Sequence, residues 1–267
     1  IMKRAAPTKG KLKLAVWKFS SCDGCQLSIL DCEDELLDLT KAVDIAYFPE
    51  ATRAVAPGPF DISLVEGSIS TPEEAQKIQK VRRQSQILVA IGACATSGGI
   101  QALRNYGQLG AMCSTVYQHP EWIESLEKST PIRNHVFVDY ELRGCPIAKG
   151  QLLELFTALL AGRKPQIPSG SVCLECKRLG TPCIMVAKAV ACLGPVTHGG
   201  CGAICPSFGR GCYGCFGPAA DANMEAMRDE FDRLGVTPED QVRAFRQINA
   251  YAEPFRAAAE AVLEKKR

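Results

Sequence analysis

Polar and apolar positions change rhythm about two thirds of the way along the chain. Up to residue 165, short apolar runs of strand length alternate with longer amphipathic stretches. Residues 11–19 (KLKLAVWKF) alternate polar and apolar and then turn mostly apolar, as a strand entering a core does. Residues 44–48 (DIAYF), 61–65 (DISLV) and 87–91 (ILVAI) are runs of strand length, and 135–140 (HVFVDY) is a fifth. Thr71-Pro72-Glu73-Glu74 opens a helix that runs to residue 84: a capping hydroxyl, proline at the first position, then acids at the positive end of the helix dipole. Residues 26–39 and 146–160 read as further helices, the second with Leu152, Leu155, Phe156 and Leu159 on or near one face. Largely apolar strands alternating with helices predict an α/β fold, a doubly wound parallel sheet covered on both faces.

Residues 166–218 break this rhythm. They are rich in Gly, Pro and Cys, show little periodicity, and carry too little apolar side chain to order themselves, so bound metal is the expected support. Helical patterning returns at 222–234 and 238–265, the second interrupted at Pro254, and Thr237-Pro238-Glu239-Asp240 repeats the helix-start chemistry. Two units are expected, 11–165 and 166–267.

Composition adds cysteine: 14 in 267 residues, within an ordinary globular background of 46% hydrophobic and 22% charged residues. A net charge of +2 gives no global basic field for nucleic acid. No apolar run reaches membrane-span length, and the start lacks a signal-peptide core or a twin-arginine pair. Lys3, Arg4, Lys9, Lys11, Lys13 and Lys18 read as a solvated N-terminal stretch. The expected location is cytoplasmic, where thiols stay reduced and serve as metal ligands or small buried hydrophobes.

The cysteines fall into groups. Cys22 and Cys25 follow the first expected strand, Cys94 the fourth and Cys145 the fifth, each with glycine close by. Ligands of doubly wound sheets sit beyond the carboxyl ends of the strands, so these four thiols are expected to meet there. Pro146 fits the first position of a helix, which puts Cys145 near its N-terminus, where the dipole favours thiolate. Eight more, Cys173, Cys176, Cys183, Cys192, Cys201, Cys205, Cys212 and Cys215, lie within 43 residues at intervals x2, x6, x8, x8, x3, x6, x2. Eight thiolates make two four-ligand sites. Division in chain order puts one tight pair in each half, and an interleaved exchange of one ligand is the alternative. Zinc suits four thiolates equally well, but it has no redox chemistry and gives no reason for three sites in one chain, whereas iron–sulfur clusters make a relay. Cys32 and Cys113 are left over as packed thiols.

Cys22-x-x-Cys25, Val65-Glu66-Gly67-Ser68, Gly92-Ala93-Cys94-Ala95 and Gly144-Cys145-Pro146, in this order, resemble the proximal-cluster framework of the small subunit of nickel–iron hydrogenases. The stretch from Cys192-Leu193-Gly194-Pro195 to Cys215 is similar to the medial and distal cluster region of that family. The resemblance covers residues 11 to about 220. VCLEC at 172–176 and CLGP at 192–195 point to the cytoplasmic bidirectional NAD(P)-linked branch, also called sulfhydrogenases, where such a chain is the delta subunit. The resemblance implies a flavodoxin-like domain over 11–165 and a 4Fe–4S cluster on each of three cysteine sets. These are the proximal set Cys22, Cys25, Cys94 and Cys145, the distal set Cys173, Cys176, Cys183 and Cys192, and the medial set Cys201, Cys205, Cys212 and Cys215. It implies no catalytic residue here, a nickel–iron centre in a partner large subunit, and flavin- and iron–sulfur-containing diaphorase partners. Cys173 stands where membrane-bound relatives have a distal histidine, Cys205 where many have a medial proline, and Gly24 and Gly99 where oxygen-tolerant ones carry extra cysteines. The motif set is also similar to the cluster-bearing subunit of respiratory complex I, which lacks the eight-cysteine segment.

Three other features carry expectations. Glu66 ends the third strand, either binding loop amides or moving protons beside the proximal thiols. His198 reads as an exposed loop residue more readily than as a donor to cluster sulfur. Trp17 and Phe19 read as core or subunit-interface residues.

Overall fold

The computed structural model describes residues 11–265. Lys3, Arg4 and Lys9 of the expected solvated stretch lie outside the described residues, whereas Lys11 Nζ donates to the Thr40 carbonyl and Lys18 pairs with Asp23.

Five strands, β1 (Leu12–Lys18), β2 (Val43–Tyr47), β3 (Phe60–Glu66), β4 (Ser85–Ile91) and β5 (Tyr140–Leu142), form a parallel sheet in the order β2-β1-β3-β4-β5. This is the predicted α/β architecture, with its strand order reversing between β1 and β3. Helices α1 (Gly24–Leu30) and α2 (Asp34–Ala42) follow β1, and α3 (Pro72–Gln84) links β3 to β4. Helices α4 (Gly92–Ser97) and α5 (Leu109–Val116) precede β5, and α6 (Lys149–Leu160) follows it.

Strand side chains alternate between the two faces, and both faces are covered, so the strands read as near-continuous apolar runs. Leu14, Val16, Ile62, Leu64, Val89 and Ile91 pack with Ile29 of α1 and with Leu152, Leu155 and Phe156 of α6. Val65, Leu88 and Ala90, on the alternate positions, pack with Ile78 and Val81 of α3. The start of α3 is a full capping box: Glu74 N–H donates to Thr71 Oγ1 at 3.2 Å and Thr71 N–H to a Glu74 carboxylate oxygen at 3.1 Å.

The register positions the site. Lys18 pairs with Glu66, Glu66 with Ile91 and Ile91 with Leu142. Four strands therefore end on one line, and the chain leaves it four times in parallel, each time just before a proximal cysteine or at Glu66.

Four expectations need correction. The fifth strand is Tyr140–Leu142, not 135–140: the Asp139 carboxylate takes the Leu88 N–H at 2.8 Å and pairs with Arg82, and Phe137 is exposed. Residues 26–39 are two helices broken at Cys32, because α2 starts afresh at Asp34. Next, 166–218 is not short of apolar contacts. It carries three short helices, α7 (Val172–Arg178), α8 (Ile184–Lys188) and α9 (Ile204–Ser207). Val172, Ile184, Met185, Leu193 and Val196 share a core with Met227 and Phe231 of α10 (Met224–Arg233) and with Phe245 and Phe255. The helices beyond residue 221 thus supply the other half of that core. Finally, the last helical stretch breaks earlier than Pro254: α11 (Pro238–Phe245) ends eight residues before α12 (Glu253–Lys265) begins, and Pro254 sits in the first turn of α12.

Candidate metal centre: three groups of cysteines

Each proximal cysteine is held by the backbone beyond the sheet. Cys25 lies in the first turn of α1, with Cys22 just before it, and Cys94 in the first turn of α4. Cys145 does not sit at a helix N-terminus as expected. Helix α6 begins at Lys149 with Ala148 as its cap, and Gly144 and Ile147 bridge across a tight turn holding Cys145 and a cis Pro146. Burial raises the Cys25 thiol far above its ordinary value, and Glu66, Cys94 and Cys145 add to this. Burial pushes Cys94 up to about 11, with Cys145, Cys22 and Glu66 contributing, and raises Cys145, which feels Cys22 and Glu66. The four thiols thus lie within electrostatic reach of one another. Their cradle is tightest at Gly92, which has φ +84° and where a Cβ would run into Cys25 Sγ. A Cβ on Gly99 would lie 2.5 Å from Cys94 Sγ, and one on Gly24 3.5 Å from Cys22 Sγ. The two glycines singled out by the resemblance therefore flank proximal sulfurs.

Glu66 is 2% exposed and accepts from the Cys25 N–H at 3.0 Å and from Gln26 Nε2 at 2.8 Å. Of its two expected roles, the geometry displays the loop-binding one. Burial raises its carboxyl against the pull of those hydrogen bonds.

The eight later cysteines influence one another within and across the two expected sets. Cys173 is pushed up to about 11 by burial and then by Cys192, Cys176 and Cys183. Burial pushes Cys215 up to about 12, aided by Cys201 and Cys205, and Cys212 up to about 12, with Cys192 and Cys215 adding. Backbone amides point at the sulfurs: Cys212 N–H and Gly194 N–H donate to Cys192 Sγ at 3.1 and 3.4 Å, and Gly214 N–H to Cys212 Sγ at 3.4 Å. Links also run between groups. The Cys145 backbone hydrogen-bonds the Cys215 thiol, Cys176 feels Cys201, and Cys192 feels Cys205.

A metal on these thiols must displace their protons, and four soft sulfur donors without a competing hard ligand suit iron–sulfur clusters or zinc. Among the described residues, no three His, Cys, Asp or Glu side chains gather tightly enough for a single metal ion. A cube of four irons holds its thiolates further apart than one ion does. The fit to a cluster rests on the all-thiolate sets, the glycine cradle and the amides aimed at sulfur.

Several residues escaped sequence reasoning. Glu175 accepts from Gly200 N–H at 2.8 Å and Ala203 N–H at 3.3 Å, and Cys201 Sγ lies 3.8 Å away. It ties the helix bearing Cys173 and Cys176 to the loop bearing Cys201. A signal was present, since Glu175 is the sole Asp or Glu between Glu154 and Asp221. Gln151 of α6 is buried with its amide unpartnered, close to Gly200. Gln101 accepts from the Cys94 thiol at 3.4 Å and donates to the Ser20 carbonyl at 2.7 Å. His198 is not an exposed loop residue: it is half-buried, its backbone N–H donates to Gly217, and its Nδ1 contacts the Gly199 carbonyl at 2.7 Å. Phe19 is buried and Trp17 stacks on Tyr47 at 4.1 Å. Cys32 packs in the core beside Ile29, its thiol donating to the Ser28 carbonyl at 3.5 Å, and Cys113 is half-buried on α5.

A parallel α/β sheet that presents four thiols at its carboxyl edge, beside a cysteine-rich segment, fits an iron–sulfur electron-transfer protein. The family model described as "NADH ubiquinone oxidoreductase, 20 Kd subunit" matches residues 22–159. The delta subunit of sulfhydrogenase 2 from Pyrococcus furiosus is 34% identical over 241 residues, covering 90% of this chain and 99% of that one. A subunit of the F420-non-reducing vhu hydrogenase from Methanocaldococcus jannaschii is 34% identical, covering 77% of this chain and 82% of that one. Among solved structures, a chain of an NAD+-reducing [NiFe]-hydrogenase in the H2-reduced state superposes with TM-score 0.56 at 33% identity, over 59% of this chain and 96% of that chain. The chain belongs to the 20 Kd oxidoreductase-subunit family and, within it, to the small subunits of nickel–iron hydrogenases. Such a subunit transfers electrons, while the active site lies in a large subunit. Among the described residues, no helix is long and apolar enough to cross a membrane.

Proposed function

We propose that this chain carries three 4Fe–4S clusters in series and relays electrons between the nickel–iron centre of its large subunit and flavin- and iron–sulfur-containing NAD(P)-reducing partners, in the cytoplasm. The observation that carries this reading is the chain of thiol couplings. The proximal set (Cys22, Cys25, Cys94, Cys145) touches the medial set (Cys201, Cys205, Cys212, Cys215) through Cys145 and Cys215. The medial set meets the distal set (Cys173, Cys176, Cys183, Cys192) where the Cys212 N–H donates to Cys192 Sγ at 3.1 Å, and Cys176 and Cys192 feel the charges of Cys201 and Cys205.

Each cluster, when bound, supplies reversible one-electron chemistry at a potential set by its charge, hydrogen bonds and exposure. The chain's own residues position and tune it. Glu66 pins the Cys25 amide, amides at 194, 212 and 214 donate to sulfur, and the cores on either side exclude water. Hydrogen bonds to sulfur favour the reduced, more negative state, which raises the potential. The unit boundaries follow: 11–165 for the proximal site, 166–267 for the other two and the helices beneath them.

Iron and acid-labile sulfide analysis tests this. About twelve irons per chain are expected, three clusters of four, and a colourless, zinc-only protein overturns the reading in favour of a zinc-stabilised binding module. Replacing Cys145 with Ser is expected to remove about four irons and abolish H2-dependent acceptor reduction. The similarity to the F420-non-reducing hydrogenase favours a second reading, in which a different set of partners, such as heterodisulfide reductase, takes the electrons; F420-linked chains are the further alternative for the same motif set. The chains that copurify separate the two.

A further inference from the structure

Between Glu175 and Asp221 there is no Asp or Glu, although the whole chain carries 29. The same stretch holds Lys177, Arg178, Lys188 and Arg210, all exposed and, among the described ion pairs, in none. It also carries large exposed apolar side chains: Val186 at 81%, Phe208 at 80% and Leu179 at 61%. These belong to one face. The Thr181 hydroxyl lies 3.4 Å from that of Ser207, which ties the Leu179 turn to the Phe208 turn. A Cβ at Gly209 would lie 3.3 Å from Lys188 Nζ, which puts the end of α8 beside the same turn. Cys183, an exposed member of the distal set, stands at the start of α8 on this side. Glu175, the last carboxylate before this stretch, is turned inward onto the Gly200 and Ala203 amides.

We propose that Leu179, Val186 and Phe208, rimmed by Lys177, Lys188 and Arg210, form the docking face for an electron-carrying protein with an acidic surface. The proposal rests on the electron-relay reading and gives the chemistry of the next partner. An apolar centre inside a charged rim is the anatomy of a transient redox contact, where the centre excludes water and the rim steers encounter. Charge selects the occupant. A second copy of this chain brings the same positive face and is repelled, whereas a carboxylate-rimmed carrier is attracted. H2, oxidised at the large subunit, is the reductant; each encounter passes one electron out at the Cys183 side and reduces the carrier by one electron.

The test uses the complex of this chain with its large subunit, stripped of the flavin-bearing chains so that the face is open, under H2 with two acceptors, a strongly acidic ferredoxin and the small dye benzyl viologen. In the wild type, the KM for ferredoxin is expected to rise steeply with salt while dye reduction changes little. The Lys188→Glu/Arg210→Glu variant is expected to raise that KM by about fivefold or more at low salt and flatten its salt dependence, with dye turnover and cluster potentials unchanged. A salt-independent ferredoxin KM, or faster turnover by the wild type with a basic carrier of similar potential, overturns the proposal. So does salt-sensitive attachment of the complex to anionic vesicles without any effect on ferredoxin. Failure of the wild type to reduce even the dye would instead sink the relay reading.

Discussion

Glu175 shows most clearly how one side chain joins separate parts of the site. It comes from the turn of α7 that carries Cys173 and Cys176, yet it satisfies two amides of the loop that carries Cys201. Glu175→Ala leaves those N–H groups unpaired and is expected to cost about 1–3 kcal/mol. It is also expected to shift the medial and distal midpoint potentials in a redox titration followed by electron spin resonance. Glu175→Gln keeps an accepting oxygen and should restore the loop while removing a negative charge near sulfur, so the potentials should rise. Equal potentials in all three proteins would leave Glu175 a purely structural tie. Cys205 is separately testable: the proposal that it is the fourth medial thiolate predicts no stoichiometric 3Fe–4S signal in the isolated protein, and such a signal would remove it from the proposed ligand set.

At the scale of elements, the turn from β4 into α4 is the most constrained. Gly92 takes φ +84° at the point where the strand stops, and its missing Cβ leaves room for Cys25 Sγ. Gly92→Ala meets both a backbone penalty of about 1–2 kcal/mol and a steric clash with a ligand sulfur. The variant is expected to lose about a third of its iron, the proximal share, while keeping the rest. Full iron content with unchanged spectra would show that the turn relaxes. The capping box of α3 gives a contrasting case away from the thiols. Thr71→Ala should destabilise by about 1 kcal/mol in denaturant unfolding with no change in iron content.

In the whole molecule, two apolar cores stand behind the cysteine groups. One lies between the sheet and helices α1 and α6, and the other beneath the irregular segment, on α10, α11 and α12. The thiols lie where the loops beyond the sheet meet the cysteine-rich segment, and the Cys215 thiol feels Cys145. Phe231 and Phe255 lie far along the chain from any cysteine, yet their core supports Leu193 and Val196. Phe231→Ala should cost about 3–5 kcal/mol and loosen the distal and medial sites, so that iron is lost from them first on mild heating. Loss of proximal iron first would show that the two units do not stand on separate cores.

Much of this was legible in the chain itself. Apolar runs of strand length marked four of the five strands, Thr71-Pro72 and Thr237-Pro238 marked helix starts, and cysteine spacing separated four dispersed thiols from eight clustered ones, because these signals are local. The fifth strand was misplaced because the Asp139 carboxylate takes the Leu88 N–H that a ladder carbonyl would take, so regular pairing begins only at Tyr140. The Pro146 helix start failed because a tight turn there serves Cys145 instead. Glu175, Gln151 and the buried setting of His198 depend on contacts between segments far apart in sequence, which no local pattern encodes. Residue types and spacings thus marked the cysteines of this chain as ligands fit for iron–sulfur clusters. Tertiary structure decided which sulfurs neighbour which, because only the register of the sheet ends and the packing of the C-terminal helices bring them within reach.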